Sequence, residues 1–408
     1  MIFVVGVVLF ALGIAASVAL HECGHMWAAK GTGMIVRRYF VGFGPKIFSW
    51  RRGETEYGLK AIPAGGFCDI AGMTIHDELE PEEIGRAMYR QKTWKRLLVM
   101  FAGIAMNFAL GLLLIFILAV TWGLPNNNSN DAKAQVGTLG CAAATQSPDG
   151  TLAACTGAGP GETAGIKTGD IITAVNGVPT PTSTDVVKQT QDAKGTAQFS
   201  ITRDGHDLTI PVQVQPVQRW VVDSSTGQKR SETVGAVGLS IETVPPAPLT
   251  YNPLAAVPAT FAFTGNLMVQ TVHSMAQMPS KVVDLWHAVT GGQRDMDTPV
   301  SVVGASRIGG EVAQHGLWGM FILLLAILNF FLGAFNLLPL LPLDGGHMAI
   351  TLYEKIRNSL RAWRGLPPGM PVNYLKLMPA TYVVIVIGGA YMLLTVTADI
   401  VNPIRLFQ

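Results

Sequence analysis

Charge is scarce in this chain. Only 14% of its 408 residues are Asp, Glu, Lys or Arg, while 49% are hydrophobic, a balance too apolar for an ordinary soluble protein. The net charge of +2 points to no partner, and no basic run carries interleaved aromatics, so nucleic acid is not an expected partner. The four cysteines, Cys23, Cys68, Cys141 and Cys155, form no CxxC pair, which argues against a structural zinc knuckle. The apolar N-terminus lacks a basic n-region and a small-residue cleavage site, so it does not read as a signal peptide.

What is present is four apolar runs, none with Lys or Arg in its core. About 20 apolar residues suffice to cross a bilayer. The runs predict transmembrane helices over 1–30, 97–122, 317–346 and 377–408, the last with a short C-terminal tail. Lys and Arg number 12 between Met26 and Arg96, 11 in the much longer stretch from Gly123 to Gly316, and 5 between Gly345 and Lys376. Positive-inside bias therefore puts the loops 31–96 and 347–376 in the cytoplasm, and the middle segment and both termini outside. The middle segment divides into a β-rich globular domain, 123–243, and a stretch, 244–316, that suits amphipathic helices at the membrane surface. Asp204-Gly205 reads as a hairpin turn between two alternating strands. The loop 31–96 is rich in Gly and aromatic residues, which fits a β-hairpin that dips back into the bilayer where protein or water satisfies its backbone.

The first run ends in His21-Glu22-Cys23-Gly24-His25. HExxH on a helix puts two imidazoles on one face, one turn apart, able to bind a single zinc while the Glu handles protons. Ionisable groups beside lipid are a functional expectation by default. A hydrolytic zinc usually has three protein ligands, and Asp344, His347 and His76 are the candidates for the third. Asp344 stands out because it closes the third run after two prolines, followed by Gly345 and Gly346. On the expected topology runs one and three point the same way, so His21, His25 and Asp344 reach similar depth. Cys23 lies off the two-His face and reads as packing.

These residues resemble the site-2 protease family of intramembrane zinc metalloproteases. The resemblance is carried by the HExxH, by Gly42-Phe43-Gly44-Pro45, by Ala102 to Phe108 with Asn107 inside it, and by the NxxP and LDGG stretch from Asn336 to Gly346, all in the family's order. Leu341 departs from many relatives, which have a second proline there. The inserted domain resembles a PDZ domain but lacks an obvious GLGF loop, and its cysteines make it most similar to actinobacterial, including mycobacterial, members. The resemblance implies a membrane all-α fold of four transmembrane helices, with a re-entrant β-hairpin and an extracytoplasmic PDZ-like insertion. It implies Zn²⁺ on His21, His25 and Asp344, with Glu22 as general base and then acid. Asn107 and Asn336 are expected to bind substrate backbone or the oxyanion, and Gly42, Phe43 and Gly44 to pair with an unwound substrate strand. The expected partners are the lipid bilayer and single-pass transmembrane substrates already trimmed by another protease, with membrane-bound anti-sigma factors as the leading class.

Two other classes were weighed. A metal transporter accounts for the intramembrane ligands but not for Glu22 between two helical histidines, and an inactive scaffold does not need an intact HExxH. Cys141 and Cys155, outside the membrane on this topology, are expected to form a disulfide worth roughly 3 kcal/mol in the chain-entropy picture.

Overall fold

The computed structural model describes residues 1–126, 132–147, 151–222, 229–244 and 246–407. It divides into two compact units, Met1–Leu124 with Thr250–Gln408, and Pro125–Leu249. The first unit opens with α1 (Ile2–Gly31), strands β1 (Val36–Arg52) and β2 (Thr55–Ile70), and α2 (Thr93–Thr121). The second unit contains β3 (Lys133–Leu139), the short α3 (Pro160–Thr163), β4 (Ile171–Val175), β5 (Val178–Pro179), α4 (Ser183–Asp192), β6 (Thr196–Arg203), β7 (His206–Gln213), β8 (Gln215–Val222), β9 (Lys229–Ala236) and β10 (Leu239–Val244). The chain then returns to the first unit as α5 (Pro253–Gln277), α6 (Lys281–Val289), α7 (Val302–Gln314), α8 (Trp318–Asn336), α9 (Asp344–Trp363) and α10 (Met378–Val401).

Helices α1, α2, α8 and α10 are long and apolar enough to cross a membrane, which matches the four expected spans. The third span needs correction. It was expected to run through 346, with 347–376 as a loop. Instead α8 stops at Asn336, and Asp344 opens α9, which occupies much of that loop. Pro339 and Pro342 lack the N–H that would continue the helix, and a carboxylate in a first helical turn is favoured by the helix dipole. Gly345 and Gly346 do more than turn the chain. A Cβ at Gly345 would collide with the Leu337 and Leu338 carbonyls, and one at Gly346 would lie 2.6–2.7 Å from Leu340 and Leu341 backbone atoms. The α9 start is therefore pressed onto the turn that precedes it.

Small residues set how closely the helices approach, as expected where apolar burial does not drive association. A Cβ on Gly6 would lie 2.5 Å from the Ala313 methyl, and one on Gly309 2.6 Å from the Phe10 ring, so α7 nests on α1. Along α8, Phe321 meets Phe10, Leu325 meets Gly13 and Asn329 meets Ser17, so α1 and α8 run parallel. Against α2, Phe330 meets Gly111 and Gly333 meets Phe108, so that pair is antiparallel. The segment expected as surface helices over 244–316 is helical, as α5, α6 and α7, and α5 is partly buried. Helix α5 shares a core with α2 and α8 through Ala256, Leu267, Leu114, Leu118 and Phe330. Its inward face is Ala256, Thr260, Thr264, Leu267 and Thr271, a helical stripe too polar to stand out as a packing face.

The C-terminal end of α10 is anchored by a buried ion pair. Arg294 donates to Asp399 at 2.7 Å, with side chains 2% and 1% exposed. Asp399 also accepts from the Ser301 amide at 2.6 Å, and Arg294 donates to Thr298 Oγ1 and to the Pro299 and Asn402 carbonyls.

Strands β1 and β2 form a sheet that folds on itself. Residues 38–41 pair with 69–66 on one side and with 56–59 on the other, and 46–52 then pair with 60–55. The 66–70 segment is consequently an outer edge, and it lies against α1.

In the second unit the strand order is β10-β3-β4-β6-β7 with β5 on β4, and β8 pairs β9 separately. Ala197, Phe199 and Ile201 alternate inward on β6 and pack with Val136, Ile172, Val175 and Val212. The Asp204-Gly205 turn is present, with φ of 52° and 80°, the left-handed values a two-residue hairpin needs. Cys141 and Cys155 are disulfide-bonded, with Cα atoms 5.9 Å apart.

Asp170, just before β4, ties that strand to the end of β6. It accepts from Arg203 at 2.7 and 2.6 Å and from the Lys167 amide at 2.8 Å. Burial opposes its ionisation, but these hydrogen bonds outweigh that and hold its carboxyl below the ordinary carboxylate range. A lowered folded-state value contributes stability that is complete above the unfolded value, about 3.9, and is lost as pH falls through the folded one. Asp170→Asn is therefore expected to speed hydrogen exchange in β4 and β6 at pH 7, by roughly tenfold or more. The gap between variant and wild type should close below pH about 4. A gap independent of pH would contradict this assignment.

Candidate metal centre

The two histidines face inward from the last turns of α1, and both are buried. Their rings meet edge to face with centroids 4.7 Å apart. Asp344 reaches them from the start of α9. Three atoms converge: His21 Nε2 and His25 Nε2 are 3.1 Å apart, and Asp344 Oδ2 lies 3.1 Å from the first and 3.3 Å from the second. The structure thus brings together the three residues that the sequence singled out. It separates the other two candidates. His76 bonds Asn373 at 3.0 Å, and His347 stacks on Tyr374 with centroids 5.6 Å apart.

The second nitrogen of each ring shows what the converging atoms need. His25 Nδ1 is 2.8 Å from the Val99 carbonyl. A carbonyl only accepts, so Nδ1 carries the proton and Nε2 presents a lone pair. His21 Nδ1 is 3.2 Å from the Asn107 amide nitrogen; with that amide turned over, so that its oxygen accepts from Nδ1–H, His21 also offers a lone pair through Nε2. Asp344 Oδ2 is buried with no hydrogen-bond donor of suitable geometry among the described residues. Three acceptors therefore point at one another, an arrangement that is costly in a dry site unless a cation lies among them. Tetrahedral zinc with bonds of about 2.0–2.1 Å subtends ligand edges of about 3.4 Å, close to the observed triangle. The donor set fits zinc.

Glu22 lies between the two histidines in sequence but points elsewhere. Its carboxylate lies beside the Cys68 backbone N–H on the outer edge of β2. A Cβ on the neighbouring Gly66 would fall 3.2 Å from Glu22 Cγ. Cys23, read as a packing residue, donates to Tyr39 Oη at 3.2 Å and stays off the two-His face.

Asn107 is displaced from its expected place. It was assigned to substrate or oxyanion, but it sits behind His21, on the ring nitrogen that faces away from the converging atoms. That is a ligand-orienting position. Asn336 closes α8, half-buried. Gly42 and Gly44 have φ of 87° and 79°. Gly42 is pressed against the Lys60 and Ile62 carbonyls inside the sheet, with a Cβ position 2.8 Å from each. Phe43 covers Gly65, where a Cβ would fall 2.7 Å from its ring, and so lies beside the Gly66 edge.

These features agree with what is known of similar chains. The description of Peptidase family M50 matches residues 9–378. The chain belongs to peptidase family M50. It is 53% identical over 408 residues to a zinc metalloprotease Rip1 of Mycobacterium bovis, covering all of both chains. It is 54% identical over 415 residues to the Rip1 of Mycolicibacterium smegmatis, again over the whole of both. The regulator of sigma-W protease RasP of Bacillus subtilis is 25% identical over 483 residues, covering 99% of this chain and all of that one. The M50 chain described here is accordingly a zinc metalloprotease of the site-2 type and a multi-pass membrane protein.

Residues that sequence reasoning did not assign shape the M50 site. A Cβ on Gly103 would collide with the His25 ring, and one on Gly24 with the Ala102 carbonyl. The two glycines let α1 and α2 touch at the level of the ligands, which brings the Val99 carbonyl to His25. The only sequence signal was a glycine within the HExxH itself and another in the α2 motif. Gly103→Val is expected to push the His25 ring aside and to lower zinc content per folded chain below about one tenth of wild type. Metal analysis of the purified protein measures this, and full zinc occupancy would show that the ring has room to move.

Proposed function

We propose that this metalloprotease makes the second cut in regulated intramembrane proteolysis. Its substrates are single-pass membrane proteins whose outer part has already been shed, with anti-sigma factors as the leading class. The observation that carries the reading is the convergence of His21, His25 and Asp344 as three acceptors, two from the end of an apolar span and one from the first turn of α9. Zinc held by these residues would supply the Lewis acidity that makes water a competent nucleophile near neutral pH. The relative named regulator of sigma-W protease supports the choice of substrate class.

The remaining chemistry belongs to the chain. Glu22 flanks the ligands beside the Cys68 N–H, in a position to take a proton from water and pass it to the leaving amine. The positive-inside count favours a site in the cytoplasmic half of the membrane, with the termini and the second unit outside. There the second unit, read as PDZ-like, would exclude bulky ectodomains or read a newly made C-terminus. A transmembrane substrate must leave its helix before a peptide bond is exposed. The edge 66–70 supports strand addition better than the Gly42–Gly44 segment does. Cys68 points its N–H outward at Glu22, so by strand alternation Gly66 also points its backbone groups outward, two residues away.

Two tests follow. Glu22→Ala in the full chain is expected to keep zinc and to lose at least about 100-fold in cleavage of a transmembrane reporter. The inactive protein should also retain its natural substrate for identification by mass spectrometry. Zinc loss in that variant would make Glu22 a ligand instead, and undiminished cleavage would remove it from the chemistry. Gly66→Pro, which deletes the outward N–H, should reduce cleavage at least tenfold with zinc content unchanged, since an unwound strand loses a main-chain partner. Wild-type rates in that variant would rule out strand addition at this edge.

A further inference from the structure

Two amides are buried between α1, α2 and α8, and their needs are opposite. Asn329 on α8 is 0% exposed. Its Nδ2 donates to Ser17 Oγ at 3.0 Å and to the Leu325 carbonyl at 2.8 Å. Ser17 gives its own proton to the Gly13 carbonyl at 2.9 Å, so it accepts from Asn329. Both amide hydrogens are thus placed, and turning the amide over would set oxygen against oxygen at Leu325. The Oδ1 of Asn329 is left facing no donor among the described residues.

Asn107 on α2 is 1% exposed. As placed, its Nδ2 faces His21 Nδ1 at 3.2 Å and its Oδ1 meets no donor among the described residues; zinc on His21 Nε2 puts the ring proton on Nδ1 and so turns the amide over, which leaves its NH₂ in that unsatisfied place. It is then a buried donor without an acceptor. The two sites lie at neighbouring levels of the bundle. Ser17 and His21, which they contact, are four residues apart, about 6 Å along α1. On the other side Gly111 faces Phe330 and Phe108 faces Gly333, which puts residue 107 opposite 334, about 7.5 Å along α8 from residue 329.

A helix-tying role explains the Ser17 contact of Asn329, but it leaves the oxygen unexplained. An unmatched acceptor and an unmatched donor at neighbouring levels of an apolar bundle suit a water that accepts from one and donates to the other. We infer that Ser17, Asn107 and Asn329 build an internal water site behind the His21 ligand, and that hydrolysis at the metal centre draws on it. The inference rests on the metalloprotease reading. It adds to that reading a place where the second reactant is held inside an apolar bundle.

Radiolytic hydroxyl labelling of the full-length protein, zinc-loaded and in detergent, tests the site, because buried side chains are oxidised where a bound water lies beside them. Peptides carrying Met106 and Phe330 are expected to be labelled in wild type. In Asn329→Leu the label should fall at least fivefold with zinc content unchanged, while kcat drops at least tenfold and KM stays the same. Asn329→Val serves as the second variant if leucine does not fit, with the same expectations. No label in wild type, or equal label in a folded variant, overturns the water site. Loss of label with unchanged kcat overturns its part in hydrolysis. Chelator-sensitive cleavage by wild type, read on the same samples, tests the metalloprotease reading separately.

Discussion

Polar groups inside an apolar bundle have to be matched, and most of what is particular to this chain follows from that requirement. The clearest instance is the set of three acceptors formed by His21, His25 and Asp344. Neutral imidazoles that donate through Nδ1 can offer only lone pairs through Nε2, and a carboxylate adds another. Water cannot easily screen this arrangement beside lipid, and a divalent cation can. The Val99 carbonyl and the Asn107 amide belong to the same account, because the first fixes which nitrogen of His25 is free and the second can accept from His21 Nδ1 once its oxygen is turned to the ring. Without them the two rings could donate to Asp344 and form an ordinary hydrogen-bonded cluster with no need for metal.

Close helix approach is the second condition, since a carbonyl on α2 reaches His25 only if the two backbones nearly touch. Gly24 and Gly103 provide this contact at the ligands, as Gly6, Gly309 and Gly310 do higher on α1 against α7. At the α9 start, Gly345 and Gly346 play the same part for Asp344. The glycines next to the ligands are thus read better as contact surfaces than as hinges, and none of these seven has a positive φ among the values recorded.

Much of this was legible in the sequence because the signals were local. The HExxH declares two ligands at helical spacing, and an acid closing an apolar run is expensive enough to suggest a third. The four spans follow from hydropathy, and Asp204-Gly205 declares its turn. Other features are made by the tertiary arrangement. After Asn336 every residue to Leu343 is Leu or Pro, so little but the prolines marks the break that moves Asp344 onto a new helix. Asn107 carries no mark that distinguishes a residue facing substrate from one behind a ligand. Helix α5 hides its packing face because its buried threonines pass for a polar surface, although of the three only Thr271 bonds its own helix, at the Leu267 carbonyl. The doubled pairing of residues 38–41 depends on a register that alternation alone does not specify.

The same matching requirement governs the substrate. A peptide bond taken out of a transmembrane helix exposes an N–H and a C=O, each costing several kcal/mol in hydrocarbon if left unpaired. A protease that works there must supply partners before it supplies chemistry. The outer edge of β2 offers backbone groups at Gly66, two residues from the Cys68 N–H beside Glu22. A substrate strand pairing there would be compensated for unwinding at the place where the general base and the metal ligands meet. Unwinding and hydrolysis would then be coupled by geometry, and a segment that could not form the extended pairing would remain helical and uncut.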